Sequence, residues 1–120
     1  ENFYDHLNLY NQANAALDTF PYPGVTTSFE AILMGLPVLT MKGFNFNSRC
    51  GESINRNLGM DEFIATDHED YYNKSIFFQN KDKLSQLRLS LREKVLSSTL
   101  FDTDNFTNDL SIIFKEVLNK

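Results

Sequence analysis

The chain has 120 residues, 42% of them hydrophobic, and a formal net charge of −5, which is enough apolar mass for one small domain with a modest core. The acidic balance argues against non-specific nucleic-acid binding, which needs a basic face, and no apolar run approaches the roughly 20 residues of a membrane-spanning helix. The single cysteine, Cys50, rules out an internal disulfide and leans toward a cytoplasmic setting, while two histidines and one cysteine at no ligand-like spacing argue against structural zinc.

No signal peptide is visible, and the first residue is Glu1 rather than Met, which leaves the true N-terminus open. Residues 3–12 read as a helix whose apolar stripe is Phe3, Leu7 and Tyr10. His6 sits beside that stripe, where a lone histidine is more often a surface residue than a functional one. Ala15–Phe20 is a short apolar run suited to a buried strand. Pro21, Pro23 and Gly24 break it with strong turn chemistry. Thr26 and Thr27 then open a helix carrying Phe29, Ile32 and Leu33 on one face. Gly35 suits the left-handed residue just past the helix end, and Pro37 blocks its continuation. Val38–Met41 is a second buried-type strand. Two apolar strands joined by a short helix predict a right-handed crossover in a parallel α/β sheet.

That unit places a Pro/Gly turn and two hydroxyls at a helix N-terminus, beyond the carboxyl end of a parallel strand, where ligands bind in open α/β sheets. Free backbone N–H groups and the helix dipole favour an anion such as phosphate there. Neither a Walker lysine nor a G-x-G-x-x-G run is present. Thr27-Ser-Phe-Glu30 equally fits a capping box, which would merely satisfy the helix donors, and caps are far commoner than phosphate sites.

Lys42–Asn47 reads as a loop. Phe44 and Phe46 are expected to pack under it in preference to lining a cleft. Cys50, Ile54 and Leu58 form a helical stripe closed by Gly59, with Cys50 a small core residue. Phe63–Ala65 suggests a third short strand. Thr66-Asp-His-Glu69 matches a capping box opening a helix to about Gln79, with His68 exposed rather than catalytic. Asn80 caps the next helix, whose stripe is Leu84, Leu87, Leu91 and Val95. Asp102 or Thr103 starts a last helix with a broad apolar face of Phe106, Leu110, Ile113, Phe114, Val117 and Leu118. No repeat or linker interrupts the chain, so residues 1–120 read as a single domain.

The run LDTFPYPGVTTSFEAILMGLPVLTMKG, followed by SRCGESI and then SSTLFDTDNF, resembles the C-terminal part of the SPINDLY-type O-linked N-acetylglucosamine transferases, glycosyltransferase family 41. The likeness covers nearly the whole chain in order. It implies the C-terminal, nucleotide-binding lobe of a two-lobed GT-B fold, a partial Rossmann-like α/β unit. It also implies UDP-N-acetylglucosamine as donor, and metal-independent transfer to a Ser or Thr hydroxyl with no cofactor. By resemblance, Gly24, Val25, Thr26 and Thr27 lie at the diphosphate, Glu30 accepts the ribose hydroxyls, and His6 lies near the uracil. The backbone N–H groups of Val25 to Thr27 can bind the diphosphate whatever the side chain at Val25. Ser48 and Arg49 resemble the family's Ser-Arg pair. The functional reading gives Arg49 a contact near the diphosphate, and the plainer reading has it anchor the loop on carbonyls or a carboxylate.

The chain departs from the family at three places. Val25 stands where the animal enzymes have His, Glu30 where most members have Asp, and Leu9 where a basic residue is frequent. The family's N-terminal lobe, its proposed catalytic His and its diphosphate Lys lie upstream of anything in this chain. The expected partners are therefore a UDP-sugar, an acceptor protein in the intact enzyme, the N-terminal lobe, helical repeats, and a second copy meeting exposed apolar surface. This chain alone is not expected to catalyse transfer. A stand-alone α/β module for protein association, with a vestigial nucleotide site, remains the alternative.

Overall fold

The computed structural model describes residues 2–119. Helix α1 (Phe3–Leu9) runs into a 3-10 turn over Tyr10–Gln12, and β1 (Ala16–Leu17) follows. Next come α2 (Thr26–Leu33), β2 (Val38–Met41), α3 (Cys50–Asn57), β3 (Ile64–Ala65), α4 (His68–Ser75), α5 (Lys81–Leu96) and α6 (Thr103–Leu118). The strands form a sheet in the order β1-β2-β3, parallel throughout, with Ala16 opposite Val38 and Thr40 opposite Ile64. The strand–helix–strand pattern of the sequence is thus realised. The side chain of Phe3 falls outside those described, so the α1 stripe is defined by Leu7 and Tyr10.

Two strands are shorter than expected: β3 covers Ile64–Ala65 rather than Phe63–Ala65, and β1 is cut back further, while β2 spans Val38–Met41 as expected. β1 is two residues long rather than spanning Ala15–Phe20, and Leu17 is 61% exposed, because this is an edge strand. The ladder continues one bond further, from Asp18 N–H to Leu39 O at 2.9 Å, before the Asp18 side chain turns the backbone away. β2 is the buried centre: all of its residues are buried, as expected for a strand paired on both edges and covered on both faces.

The core forms where α2, α3 and α5 close on β2. Ile32, Leu39, Met60, Leu91 and Val95 are fully buried there. Phe63 sits at one end, stacked on Phe78 and edge-on to Phe77, so three rings fill the volume beside β3. α2 ends in a Schellman closure: Leu36 N–H bonds Ala31 O at 2.8 Å and Gly35 N–H bonds Ile32 O at 3.0 Å. Gly35 takes φ of 78°, a value that suits a residue without Cβ. Asn80 and Asp102 cap α5 and α6 through their side-chain oxygens, as read. The α4 cap lies one residue on from Thr66. Asp67 Oδ1 accepts from Asp70 N–H, and Asp70 Oδ2 accepts from Thr66 N–H, a reciprocal box built from two aspartates.

α6 differs from every other helix of comparable length. Each of its residues is exposed, with Phe106 67%, Phe114 58% and Val117 62% accessible. Its apolar face covers nothing among the described residues.

Because Leu91 of α5 is fully buried within the core cluster, Leu91→Ala removes packed methyl groups and leaves a cavity. Urea unfolding of the variant is expected to show a loss of about 2–5 kcal/mol, whereas Leu89→Ala, at an 82% exposed position, stays within roughly 0.5 kcal/mol.

Candidate functional site

Parallel pairing puts the carboxyl ends of β1, β2 and β3 at one edge, so the loops leaving them open on the same side. The first loop, Thr19–Val25, delivers the chain to α2. Its Pro/Gly turn is held by Asp18: Oδ1 accepts from Gly24 N–H at 2.7 Å and from Thr19 N–H at 3.1 Å. Thr19 Oγ1 closes the turn further by donating to Tyr22 O at 2.6 Å.

The capping box read into Thr27–Glu30 does not form. Val25 occupies the N-cap position, its side chain has no acceptor, and no side chain caps the helix. Among the described residues the backbone N–H groups of Val25, Thr26, Thr27 and Ser28 have no acceptor in the chain. Thr26 and Thr27 are exposed and, among the described residues, their hydroxyls have no partner. Ser28, by contrast, is buried and donates to Gly24 O at 3.0 Å. A helix end left in this state carries concentrated positive potential and a set of free donors. Gly24 itself does not contribute a donor, because its N–H is committed to Asp18. Its place is steric: a Cβ there would meet Thr27 Oγ1 at 2.6 Å.

Glu30 is turned away from the helix end toward α1. His6 Nε2 lies 3.0 Å from Glu30 Oε2, and Tyr10 O–H donates to the same oxygen at 3.0 Å. The sequence-based candidates His6 and Glu30 are therefore brought together. Tyr10, read only as a stripe residue, is a third member that the sequence did not single out. The hydrogen bond with His6, then that from Tyr10, hold the Glu30 carboxyl below its ordinary value. Burial, then the bond to Glu30, push the Tyr10 hydroxyl upward. The second carboxylate oxygen, Oε1, makes no hydrogen bond among the described residues.

Arg49 lies on a different feature. Its guanidinium grips Glu52 with two bonds, Nε to Oε2 at 2.7 Å and a terminal nitrogen to Oε1 at 3.1 Å. Glu52 is 3% exposed, and Arg56 (3.1 Å) and Lys42 (3.8 Å) also approach it. The bond from Arg49 comes first in keeping the Glu52 carboxyl ionised below its usual range, against the opposing cost of burial. The anchoring reading of Arg49 is thus the one the geometry favours. The structure does not bring Arg49 into one cavity with Thr27. Thr27 borders a groove of about 170 Å³ with Asp18 and Gly24, whereas Arg49 lines a cleft of about 610 Å³.

Phe44 and Phe46 border that larger cleft, 79% and 89% exposed, and do not pack under their loop. The space beneath is already taken by Ser48, which is buried and exchanges hydrogen bonds with Asn45. Ser48 lies where a Cβ on Gly43 would fall. Cys50 is half-buried at the cleft wall rather than in the core. His68 is exposed, its ring edge-on to Phe20. No group of three His, Cys, Asp or Glu side chains among the described residues is placed to hold a metal ion.

The model of glycosyl transferase family 41 matches residues 4–110, the whole of this site included. The chain belongs to glycosyl transferase family 41. The family resemblance extends to individual proteins and to a solved structure. The chain is 33% identical to SPINDLY of Eustoma exaltatum subsp. russellianum over 98% of its own length and 13% of that protein's. It is 34% identical to SPINDLY of Solanum lycopersicum over 95% of its own length and 12% of that protein's. Both relatives are named as probable UDP-N-acetylglucosamine–peptide N-acetylglucosaminyltransferases. The fold matches a mutant O-GlcNAc transferase of Thermobaculum terrenum with a TM-score of 0.87 and 33% identity, over 97% of this chain and 22% of that one. This family 41 chain is therefore a short open parallel sheet with helices, of the GT-B type, and spans about an eighth of the SPINDLY proteins it matches.

The Glu30 clamp has a pH consequence. Its folded-state value lies below the ordinary 4.5, so the stability it contributes is complete above that pH and is lost as pH falls through the lower folded value. A carbon-detected NMR titration of the Glu30 carboxyl is expected to show a midpoint below 4.5 in the wild type, moving upward in Tyr10→Phe and further in His6→Ala.

Proposed function

We propose that the chain forms the nucleotide-holding part of a protein O-GlcNAc transferase of the SPINDLY type, with UDP-N-acetylglucosamine as donor. The observation that carries this reading is the uncapped start of α2. Its Val25–Ser28 amides lack acceptors beside a carboxylate that α1 has oriented. A diphosphate at that helix end would receive backbone hydrogen bonds, to which Thr26 and Thr27 add two hydroxyls. These donors do not depend on the identity of the side chain at Val25. The free Glu30 oxygen supplies an acceptor for a ribose hydroxyl, and His6 stands beside it on the base side.

In the intact enzyme this helix end acts electrostatically. As the glycosidic bond to UDP breaks, negative charge grows on the leaving diphosphate, and preorganised donors stabilise it more than they stabilise the ground state. The positive charge of a metal ion is then not required for that step. No residue of this chain is assigned the proton transfer from the acceptor hydroxyl. That role, and the acceptor site, belong to the remainder of a protein the length of its relatives.

The test is an NMR titration of the chain with UDP, with GDP and ADP as competitors. Shifts are expected at Val25–Ser28, Glu30 and His6. The double change Thr26→Ala/Thr27→Ala is expected to weaken UDP binding by about tenfold or more, roughly 1.4 kcal/mol, while the fold persists because neither hydroxyl caps the helix. Shifts centred elsewhere, or an unaltered titration in the double variant, would refute the site.

A second reading, association of the chain with another copy, is favoured by α6. Its exposed Phe106, Leu110, Ile113, Phe114 and Val117 recur at helical spacing along a helix whose apolar face is uncovered among the described residues. Burying ~400 Å² of such surface is worth about 10 kcal/mol before association costs of similar size. Sedimentation at high micromolar concentration is expected to show a dimer or larger species, and Phe114→Glu or Ile113→Glu should return it to monomer. A folded monomer at all concentrations would contradict this.

A further inference from the structure

Asp18 sits between the sheet and the candidate site and has more polar partners than any residue of the nucleotide reading. Its backbone N–H pairs with Leu39 O at 2.9 Å, and its carbonyl accepts the Tyr71 hydroxyl at 2.9 Å. Its carboxylate accepts from Thr19 N–H (3.1 Å), Gly24 N–H (2.7 Å) and the Thr40 hydroxyl (2.8 Å). Gly51 of α3 lies directly behind, where a Cβ would stand 2.6 Å from Asp18 Oδ2 and would overlap Thr40 Oγ1. Thr40 of β2 and the close approach of Gly51 in α3 thus fix one carboxylate, Tyr71 of α4 fixes the Asp18 backbone, and the carboxylate fixes the loop.

The division of labour among the two oxygens is specific. Oδ2 is tied to Thr40 on the rigid central strand. Oδ1 holds N–H groups at both ends of the loop, Thr19 and Gly24. Pro21 and Pro23 have no N–H of their own, so the loop has few other donors with which to anchor itself. Gly24 immediately precedes Val25, the N-cap of α2. Releasing Gly24 would free the backbone that sets where the Val25–Ser28 amides point.

Charge argues that geometry is the reason for the residue. A carboxylate close to a bound diphosphate is electrostatically unfavourable, and a neutral side chain of the same shape would serve a ligand better if only potential mattered. We propose that Asp18 is a positioning residue for the donor diphosphate: it clasps the Thr19–Gly24 loop and so sets the orientation of the α2 helix end. The proposal rests on the nucleotide reading above, but its geometric half stands without a ligand.

Two variants separate position from charge. Asp18→Asn keeps the shape, with its Oδ1 still accepting from Gly24 and Thr19 and its amide nitrogen donating to Thr40 Oγ1. Asp18→Glu keeps the charge but moves the carboxylate by one methylene. Each is compared with wild type by UDP titration, thermal melting, and amide hydrogen exchange at Gly24 and Val25–Ser28. Positioning predicts that Asp18→Asn binds UDP within about threefold of wild type and keeps the Gly24 amide protected. It predicts that Asp18→Glu, with a melting curve close to wild type, binds about tenfold or more weakly, a change of roughly 1.4 kcal/mol, and exposes Gly24 to exchange.

The reverse order, with Asp18→Glu retaining affinity and Asp18→Asn losing it, would overturn the proposal in favour of a charge effect. Equal binding by both variants with Gly24 still protected would also overturn it. Should wild type show no UDP binding at Val25–Ser28, the nucleotide reading fails by itself. The exchange data then decide the clasp: a Gly24 amide equally protected in wild type and Asp18→Glu refutes it.

Discussion

Among the described residues β1 and β3 both pair with β2, and both pair with it in parallel. Parallel neighbours cannot be joined by a tight turn, so each connection must leave the carboxyl edge and run back over a face of the sheet to the amino edge. α2 and α3 are those crossings, and each helix begins at the carboxyl edge of the sheet. The position of the candidate site follows from this constraint. A helix that begins there points its dipole and its unpaired amides at whatever lies beyond the edge. β2 can hold this role because it is buried along its length and apolar but for Thr40, whose hydroxyl donates to Asp18.

The two carboxylates around α2 have opposite tasks, set by where their oxygens go. Asp18 faces inward, and three donors occupy it. Glu30 faces outward, with one oxygen held by His6 and Tyr10 and the other free. A longer side chain at position 30 has more rotamers to lose on ordering. His6 of α1 and Tyr10 of the turn after it restrict it before any ligand arrives, which is the structural counterpart of an extra methylene relative to Asp. Glu52 is a third case, buried under Arg49, Arg56 and Lys42. There the carboxylate organises cations at the wall of the cleft, and burial is tolerated because both oxygens are paired.

α6 sets the limits of the isolated chain. Helices α2, α3 and α5 bury their apolar stripes against β2 or each other, whereas α6 has an equally apolar stripe and no surface to lay it on. Its own stability must come from its Asp102 cap and from helix propensity. The chain spans about an eighth of the length of its SPINDLY relatives.

Much of this was legible in the residues themselves. The parallel crossover followed from two apolar runs separated by Pro-Gly and Gly-x-Pro punctuation. The Asn80 and Asp102 caps and the α5 stripe followed from local spacing, because each depends on side chains within four residues of one another. The anion-binding reading of the Thr26/Thr27 helix end came from the same crossover pattern, whereas the roles of Glu30 and His6 and the GT-B assignment came from motif resemblance. Only the tertiary structure decided between a capping box and an open helix end. Glu30 satisfies both patterns, and the choice was made by Tyr10 and His6, some twenty residues away. The exposure of Phe44 and Phe46 depended likewise on Ser48 filling the space beneath them. Asp18 as the clasp of the loop needed Thr40, Gly51 and Tyr71 to converge from other elements. Local chemistry determines what an element is, but competition among distant partners for the same donors and the same space determines what it is left free to do.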